Sequence, residues 1–248
     1  MRTTGNTIFL PGGTSGIGRG LAERFAARGD RVIVGGRRQA LLDELAASSP
    51  LIEAVRIDTS DPESIRAVSA DVQRRFPETN VLLAMAGIMR PEDVANGGFL
   101  DAAEATVTTN LLGVIRLWAA WAEFLTAKDE AVLITVSSGL AFTPLALTPT
   151  YDATKAAVHA LSDAWRLQLA GTGTQVVELV PPAVQTDLMP GPNTAHAMPL
   201  DDYLDETVRL LEEQPDAAEV LVERVKPLRF SEVNGDRDGL MRMLAGIH

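Results

Sequence analysis

The chain of 248 residues contains no cysteine. Disulfide staples, thiolate metal sites and cysteine nucleophiles are therefore excluded, and cohesion must come from packing. Tyrosine and lysine are nearly as scarce, with two Tyr and only Lys128, Lys155 and Lys226. Three histidines, His159, His196 and His248, are scattered without ligand spacing, so no metal site is expected. No apolar run approaches the ~18 residues of a membrane span, and the N-terminal stretch lacks a signal-peptide core. A cytoplasmic protein without membrane contacts is the expectation.

Positive charge is also in deficit, with 22 Lys+Arg against 33 Asp+Glu and a formal net charge of −11. That balance argues against nucleic acid or anionic lipid as partner, while leaving room for a local basic site. Trp118, Trp121 and Trp165 have the spacing of helix residues turned to a core or an interface, not of a base-stacking platform.

What is present is an alternation of short β-prone apolar runs with longer amphipathic stretches. Runs at Thr7–Leu10, Arg31–Val34, Ala54–Ile57, Val81–Met85, Val132–Val136 and Val176–Val180 are read as strands, continuous because helices cover both sheet faces. Ala40–Ala47 forms a short helix with Leu41, Leu42 and Leu45 inward, and Asp61-Pro62 opens another with Asp61 as N-cap. Residues 101–125 and 152–169 read as long helices, 201–213 as an acidic one, then comes Val220–Val222 and a short terminal helix. The pattern predicts an α/β fold: a single doubly wound Rossmann domain over 1–248, with a mostly parallel central sheet and ligands at the carboxyl ends of its strands. Residues 187–215 would supply a substrate loop and lid helix.

A glycine-rich turn follows the first strand and opens a helix, the arrangement that presents backbone N–H groups and a helix N-terminus to a pyrophosphate. Gly12, Thr14, Ser15, Gly16, Ile17 and Gly18 carry it in G-x-x-x-G-x-G spacing, one residue removed from the dinucleotide fingerprint. Strand two exits into Gly35, Gly36, Arg37 and Arg38. An acidic residue there would bind a ribose 2′-OH, whereas arginine accommodates a 2′-phosphate, so NADP(H) is favoured over NAD(H). The competing reading is that both arginines merely begin a solvated helix.

Tyr151 and Lys155 stand four apart and share one helix face. A phenol near its ordinary pKa of about 10 is a poor proton exchanger, and a neighbouring cation favours the phenolate. Chance placement of so few Tyr and Lys would give that spacing only about 0.02 times. Ser138 follows the fifth strand and offers a hydroxyl to a substrate oxygen.

With these motifs the chain resembles the short-chain dehydrogenase/reductase family of the Tyr-x-x-x-Lys type. The resemblance spans most of residues 5–187: the Gly12–Gly18 loop, Asp58 in IDTSD, Ala84–Gly87, Asn110 in TNLLG, Ser138, Tyr151/Lys155 and PPAVQT at 181–186. It implies that Tyr151 exchanges the proton, Ser138 holds the substrate oxygen, Lys155 binds the nicotinamide ribose and lowers the Tyr151 pKa, and Asn110 supports a water relay. It further implies that Asp58 meets the adenine, Ala86 and Gly87 line the ribose side, and Val184 and Thr186 hold the carboxamide. The phrases IMRPEDV and VERVKPLRF are similar to the branch of D-alanine transfer operon-like oxidoreductases. A homodimer or homotetramer through the long helices also follows from resemblance.

Three departures stand out: Pro11 before the first glycine, Ala84-Met85 in place of two asparagines, and Pro182 in place of a glycine. Leu140, Phe142, Leu145 and Leu147, with the 187–199 loop, either line an apolar substrate pocket or pack beneath the loop. Two functions fit. One is an NADP(H)-dependent oxidoreductase interconverting a ketone or aldehyde with an alcohol; the alternative is a dinucleotide-binding sensor or scaffold whose redox activity is weak or lost.

Overall fold

A computed structural model describes residues 2–188 and 196–246. The middle of the expected 187–199 loop and the terminal His248 lie outside the described residues. The apolar runs become β1 (Thr7–Pro11), β2 (Arg31–Gly36), β3 (Ile52–Arg56), β4 (Val81–Ala84), β5 (Ala131–Val136), β6 (Thr174–Leu179) and β7 (Glu219–Val220). One seven-stranded sheet results, in the order β3-β2-β1-β4-β5-β6-β7. It is parallel at every pairing, where the sequence predicts only mostly parallel.

Parallel pairing needs crossovers, and α1 (Gly16–Ala27), α2 (Gln39–Ser48), α3 (Pro62–Arg75), α4 (Leu100–Val107), α5 (Gly113–Thr126), α6 (Pro149–Gln168) and α7 (Leu200–Glu213) lie along them. Alternation along β1 sends Ile8 and Leu10 to one core with Leu21 and Phe25, and Phe9 to the other with Trp121 and Leu125. Trp121 is fully buried, stacks on Phe9 at 5.1 Å and donates to Ser69 Oγ at 3.0 Å. Leu42 and Leu45 are buried in α2, while Leu41 is only half-buried. Strand order reverses beside β1, opening the crevice between the carboxyl ends of β1 and β4.

Several boundaries differ from expectation for tertiary reasons. Gly35 and Gly36 stay in β2 because they pair with Val55 and Arg56 of β3. The helix expected over 101–125 is interrupted by a π-helical stretch, Thr108–Leu112. Gly113 follows it where a Cβ would sit 2.9 Å from the Thr59 carbonyl. Helix α6 begins at Pro149, placing Tyr151 in its first turn. Val220 ends β7, so Leu221 and Val222 lie beyond the strand. Helix α7 is fastened to α1: Arg24 pairs with Asp201 at 3.0 Å and Asp205 at 2.7 Å, and Leu204 occupies the space a Cβ at Gly20 would take. Among the described residues no helix is long and apolar enough to cross a membrane.

Candidate active site

The turn after β1 is built for close backbone approach. Gly12 has φ +94° and a Cβ there would lie 2.5 Å from Ala86 N; a Cβ on Gly18 would lie 2.3 Å from Gly12 O. Thr186, on the exit from β6, packs over Gly16 with its methyl 3.2 Å from the Cβ position. Ile17 packs against the core and anchors the first turn of α1. The Pro11 carbonyl accepts from Met85 N at 3.2 Å, and Met85 closes the space beside Gly18. The turn fits a pyrophosphate in kind: without side chains at Gly12 and Gly18 its backbone folds tightly against Ala86 and itself, directly ahead of the α1 N-terminus.

Arg38 marks one end. Its Nη2 donates to Thr14 Oγ1 at 3.0 Å and Ser15 Oγ at 2.8 Å, so a guanidinium and two hydroxyls meet beside β2. In the sequence Arg37 and Arg38 are an equivalent pair; the structure gives the loop contact to Arg38. Arg37 is exposed and instead helps hold the Asp58 carboxyl low, a shift opposed by burial and carried mainly by Ser60. Asp58 Oδ1 accepts from Ser60 N at 2.9 Å and Ser60 Oγ at 2.7 Å.

At the other end Ser138, Tyr151, Lys155 and Asn110 converge. Ser138 adjoins Tyr151 and favours its phenolate, and Lys155 Nζ lies 5.5 Å from the Tyr151 ring centre. Lys155 is buried and donates to Val136 O at 2.8 Å. Asn110 accepts from Ile88 N at 2.8 Å and donates to Ile88 O at 2.8 Å, clamping the irregular segment that follows β4; the π-helical stretch carries this side chain. Gly87 sits between Asn110 and Lys155, with its Cβ position 3.4 Å from Asn110 Oδ1 and 3.8 Å from Lys155 Nζ. Val184 forms a bridge with Met198 that ties the two ends of the 187–199 loop.

Electrostatics depart from one expectation. Burial pushes the Tyr151 phenol well above its ordinary value; Ser138 opposes the shift and Asp152 adds to it, while Lys155 is not among the groups that set it. The protein by itself therefore holds Tyr151 protonated. Burial also pulls Lys155 down to about 8, against the carboxylate of Glu178.

Three acidic groups near the site, Asp152, Glu92 and Glu178, carry no motif signal in the sequence. Asp152 is buried behind Tyr151 and accepts from Leu145 N at 2.8 Å, and burial pushes its carboxyl up to about 7. Glu92 accepts from Thr150 Oγ1 at 2.8 Å, and its Oε1 has no hydrogen-bond partner among the described residues. His159 and Glu178 meet at 2.9 Å one turn beyond Lys155. Phe142 does not face the crevice with Leu140: its ring meets His159 at 4.7 Å and the Arg229 guanidinium at 4.2 Å.

Residues 6–196 match the short chain dehydrogenase family. The chain is 38% identical over 191 residues to the uncharacterized oxidoreductase DltE of Bacillus subtilis, covering 76% of this chain and 75% of that one. It is 30% identical over 185 residues to the sulfoacetaldehyde reductase of Chromohalobacter salexigens, covering 73% of each. Among solved structures, a short-chain dehydrogenase from Sphingobium yanoikuyae in complex with NADPH superimposes with a TM-score of 0.81 at 27% identity, over 95% of both chains. The chain belongs to the short-chain dehydrogenase/reductase family, whose oxidoreductases act on alcohol and carbonyl groups.

Proposed function

We propose that this protein is an NADP(H)-dependent oxidoreductase that interconverts a ketone or aldehyde with an alcohol, using Tyr151 as general acid/base. The observation that carries this reading is the buried Tyr151, with Ser138 beside it and Lys155 on the same helix face. A binding-only protein would have no use for that arrangement.

Gly12, Gly16 and Gly18 would hold the pyrophosphate, Arg38 with Thr14 and Ser15 the 2′-phosphate, and Asp58, Ala86, Gly87, Val184 and Thr186 the remaining edges of NADP(H). The NADPH-bound relative supports that choice. When bound, the nicotinamide supplies or accepts the hydride. Ser138 orients the substrate oxygen beside the Tyr151 hydroxyl. Burial keeps that hydroxyl protonated, which suits donation to a carbonyl oxygen as charge develops there. In the reverse direction Tyr151 must start as the phenolate to accept the alcohol proton, and the Lys155 ammonium stabilises that phenolate until the proton neutralises it. Asn110 fixes Ile88 and so the backbone running past Gly87.

We take Leu140, Leu145 and Leu147, from the segment after Ser138, as the apolar side of the substrate site, so a moderately bulky apolar carbonyl is the substrate class we favour. A homodimer or homotetramer in the cytoplasm completes the reading, and sedimentation velocity tests the assembly. Carbonyl-dependent oxidation of NADPH, wild type against Tyr151→Phe, tests the activity.

A further inference from the structure

On α6, Tyr151, Lys155 and His159 recur every four residues and form one stripe facing the sheet. Beneath the stripe lies Glu178 of β6, fully buried, with Oε2 2.9 Å from His159 Nδ1. Its Oε1 has no hydrogen-bond partner among the described residues. In the parallel register Val136 pairs with Leu179, the neighbour of Glu178, and Val136 is the residue whose carbonyl holds Lys155 Nζ at 2.8 Å. A buried carboxylate is costly unless cations face it. Those available are Lys155 and His159 of α6 and Arg229.

His159, Glu178 and Glu219 place ligand atoms within 4.8 Å of one another, a grouping that invites a metal ion. Arg229 argues otherwise. It takes both Glu219 oxygens at 2.8 Å, and the His159 ring already faces Glu178, so the chain's own cations close the cluster. The other charged neighbours of His159 are Asp163 at 3.6 Å, itself bound by Arg166, and Glu219 at 3.9 Å.

We propose that Glu178 is a positioning residue for the Tyr151–Lys155 pair: a carboxylate beneath α6, shared between Lys155 and His159, that keeps Lys155 an ammonium in its dry site. The proposal rests on the reading of Tyr151 and Lys155 as the catalytic pair. The directions of the shifts agree with it. Glu178 opposes the fall that burial imposes on Lys155, and the hydrogen bond with Glu178 is the largest influence holding the His159 imidazolium above its ordinary value. Lys155 and His159 therefore compete for one negative charge.

Two readouts separate this inference from the enzymatic one. With only three histidines, the imidazole signals are resolvable by NMR, and His159→Gln assigns the relevant one. Glu178→Gln should lower the His159 titration midpoint by roughly one pH unit, and Lys155→Met should raise it, since one competing cation is removed. Glu178→Gln should also move the basic limb of kcat/KM for carbonyl reduction to lower pH by roughly one unit, with little loss below it, while Glu178→Asp restores the wild-type profile. A purely structural Glu178 would instead lower kcat/KM evenly at all pH. If Glu178→Gln does not fold, Lys155→Met and Glu178→Asp still decide the matter. A His159 midpoint unmoved by Lys155→Met overturns the proposal; expected His159 shifts in a protein that turns over no carbonyl support the shared carboxylate and overturn the enzymatic reading alone.

Discussion

Arg38 Nη2 lies 2.8 Å from Ser15 Oγ, which joins the exit of β2 to the cap of the first helix through one charge-assisted hydrogen bond. A ribose 2′-phosphate would enter where this guanidinium and the two loop hydroxyls meet. Replacing Arg38 with Ser should therefore raise KM for NADPH at least about tenfold while changing that for NADH little, because charge-assisted hydrogen bonds contribute about 1.5–3 kcal/mol. Arg37→Ser should have the smaller effect, since Arg37 touches neither hydroxyl. Steady-state kinetics with both cofactors check the pair, and equal losses for NADPH and NADH would refute the assignment.

Asp152 is a carboxyl whose folded pKa is pushed up to about 7, chiefly by burial, with Glu92 adding to the effect. The sign of its contribution follows from linkage. Between the ordinary carboxylate range and about 7 the folded chain binds more protons at this site than the unfolded chain, so this group's contribution to stability falls as pH rises through that window. Asp152→Asn removes the titration, keeps an acceptor for Leu145 N and removes the repulsion with Glu92. The variant should gain about 1 kcal/mol or more over wild type at pH 8, and less at pH 5, in urea denaturation. A loss of equal size at both pH values would contradict this account.

Gly12 is required on two grounds, its φ of +94° and the 2.5 Å a Cβ would leave to Ala86 N. Backbone cannot yield there as a flexible side chain could. Gly12→Ala should cost about 2 kcal/mol or more in stability and weaken NADPH binding. Gly29→Ala is the matched control: its φ is +97° but nothing lies within 4 Å of the Cβ position, so it should share the conformational cost and spare cofactor affinity. Calorimetry and cofactor fluorescence separate the two variants.

The parts of this site legible in the sequence are those whose signal is local. Gly12, Gly16 and Gly18 announce themselves by spacing, and Tyr151 with Lys155 by a four-residue interval on one helix. What escaped depends on chain segments far apart. Nothing near Asn110 signals a π-helical stretch, and the side chain it carries bonds Ile88, 22 residues away. Arg38 outranks Arg37 only once β2 is placed beside the first turn. Glu92 meets Thr150 across 58 residues, and Glu178 meets His159 between a strand and a helix, pairings that no periodicity encodes. By composition Phe142 either lines a pocket or packs beneath the loop; its ring is taken by His159 and Arg229. A buried acid in the apolar run of β6 was the one available clue, since a carboxylate in such a strand demands a partner.

Lys155 carries the pH dependence expected of the reaction. Its folded pKa is lowered to about 8, so the ammonium is present below that value and lost above it. Reduction of a carbonyl should accordingly decline as pH rises past about 8, and Lys155→Arg, which stays charged, should lack that decline even if its overall rate is low. A pH–rate profile identical in the two proteins would remove Lys155 as its origin.

The central claim is that Tyr151 passes the proton in a carbonyl–alcohol interconversion. Its most direct test is NADPH oxidation over a panel of apolar ketones and aldehydes, wild type beside Tyr151→Phe, with cofactor binding measured for both. The account predicts turnover by the wild type, a loss of at least about a hundredfold in the variant, and unchanged NADPH affinity. Equal turnover by the two proteins, or cofactor binding without turnover of any carbonyl, would contradict it.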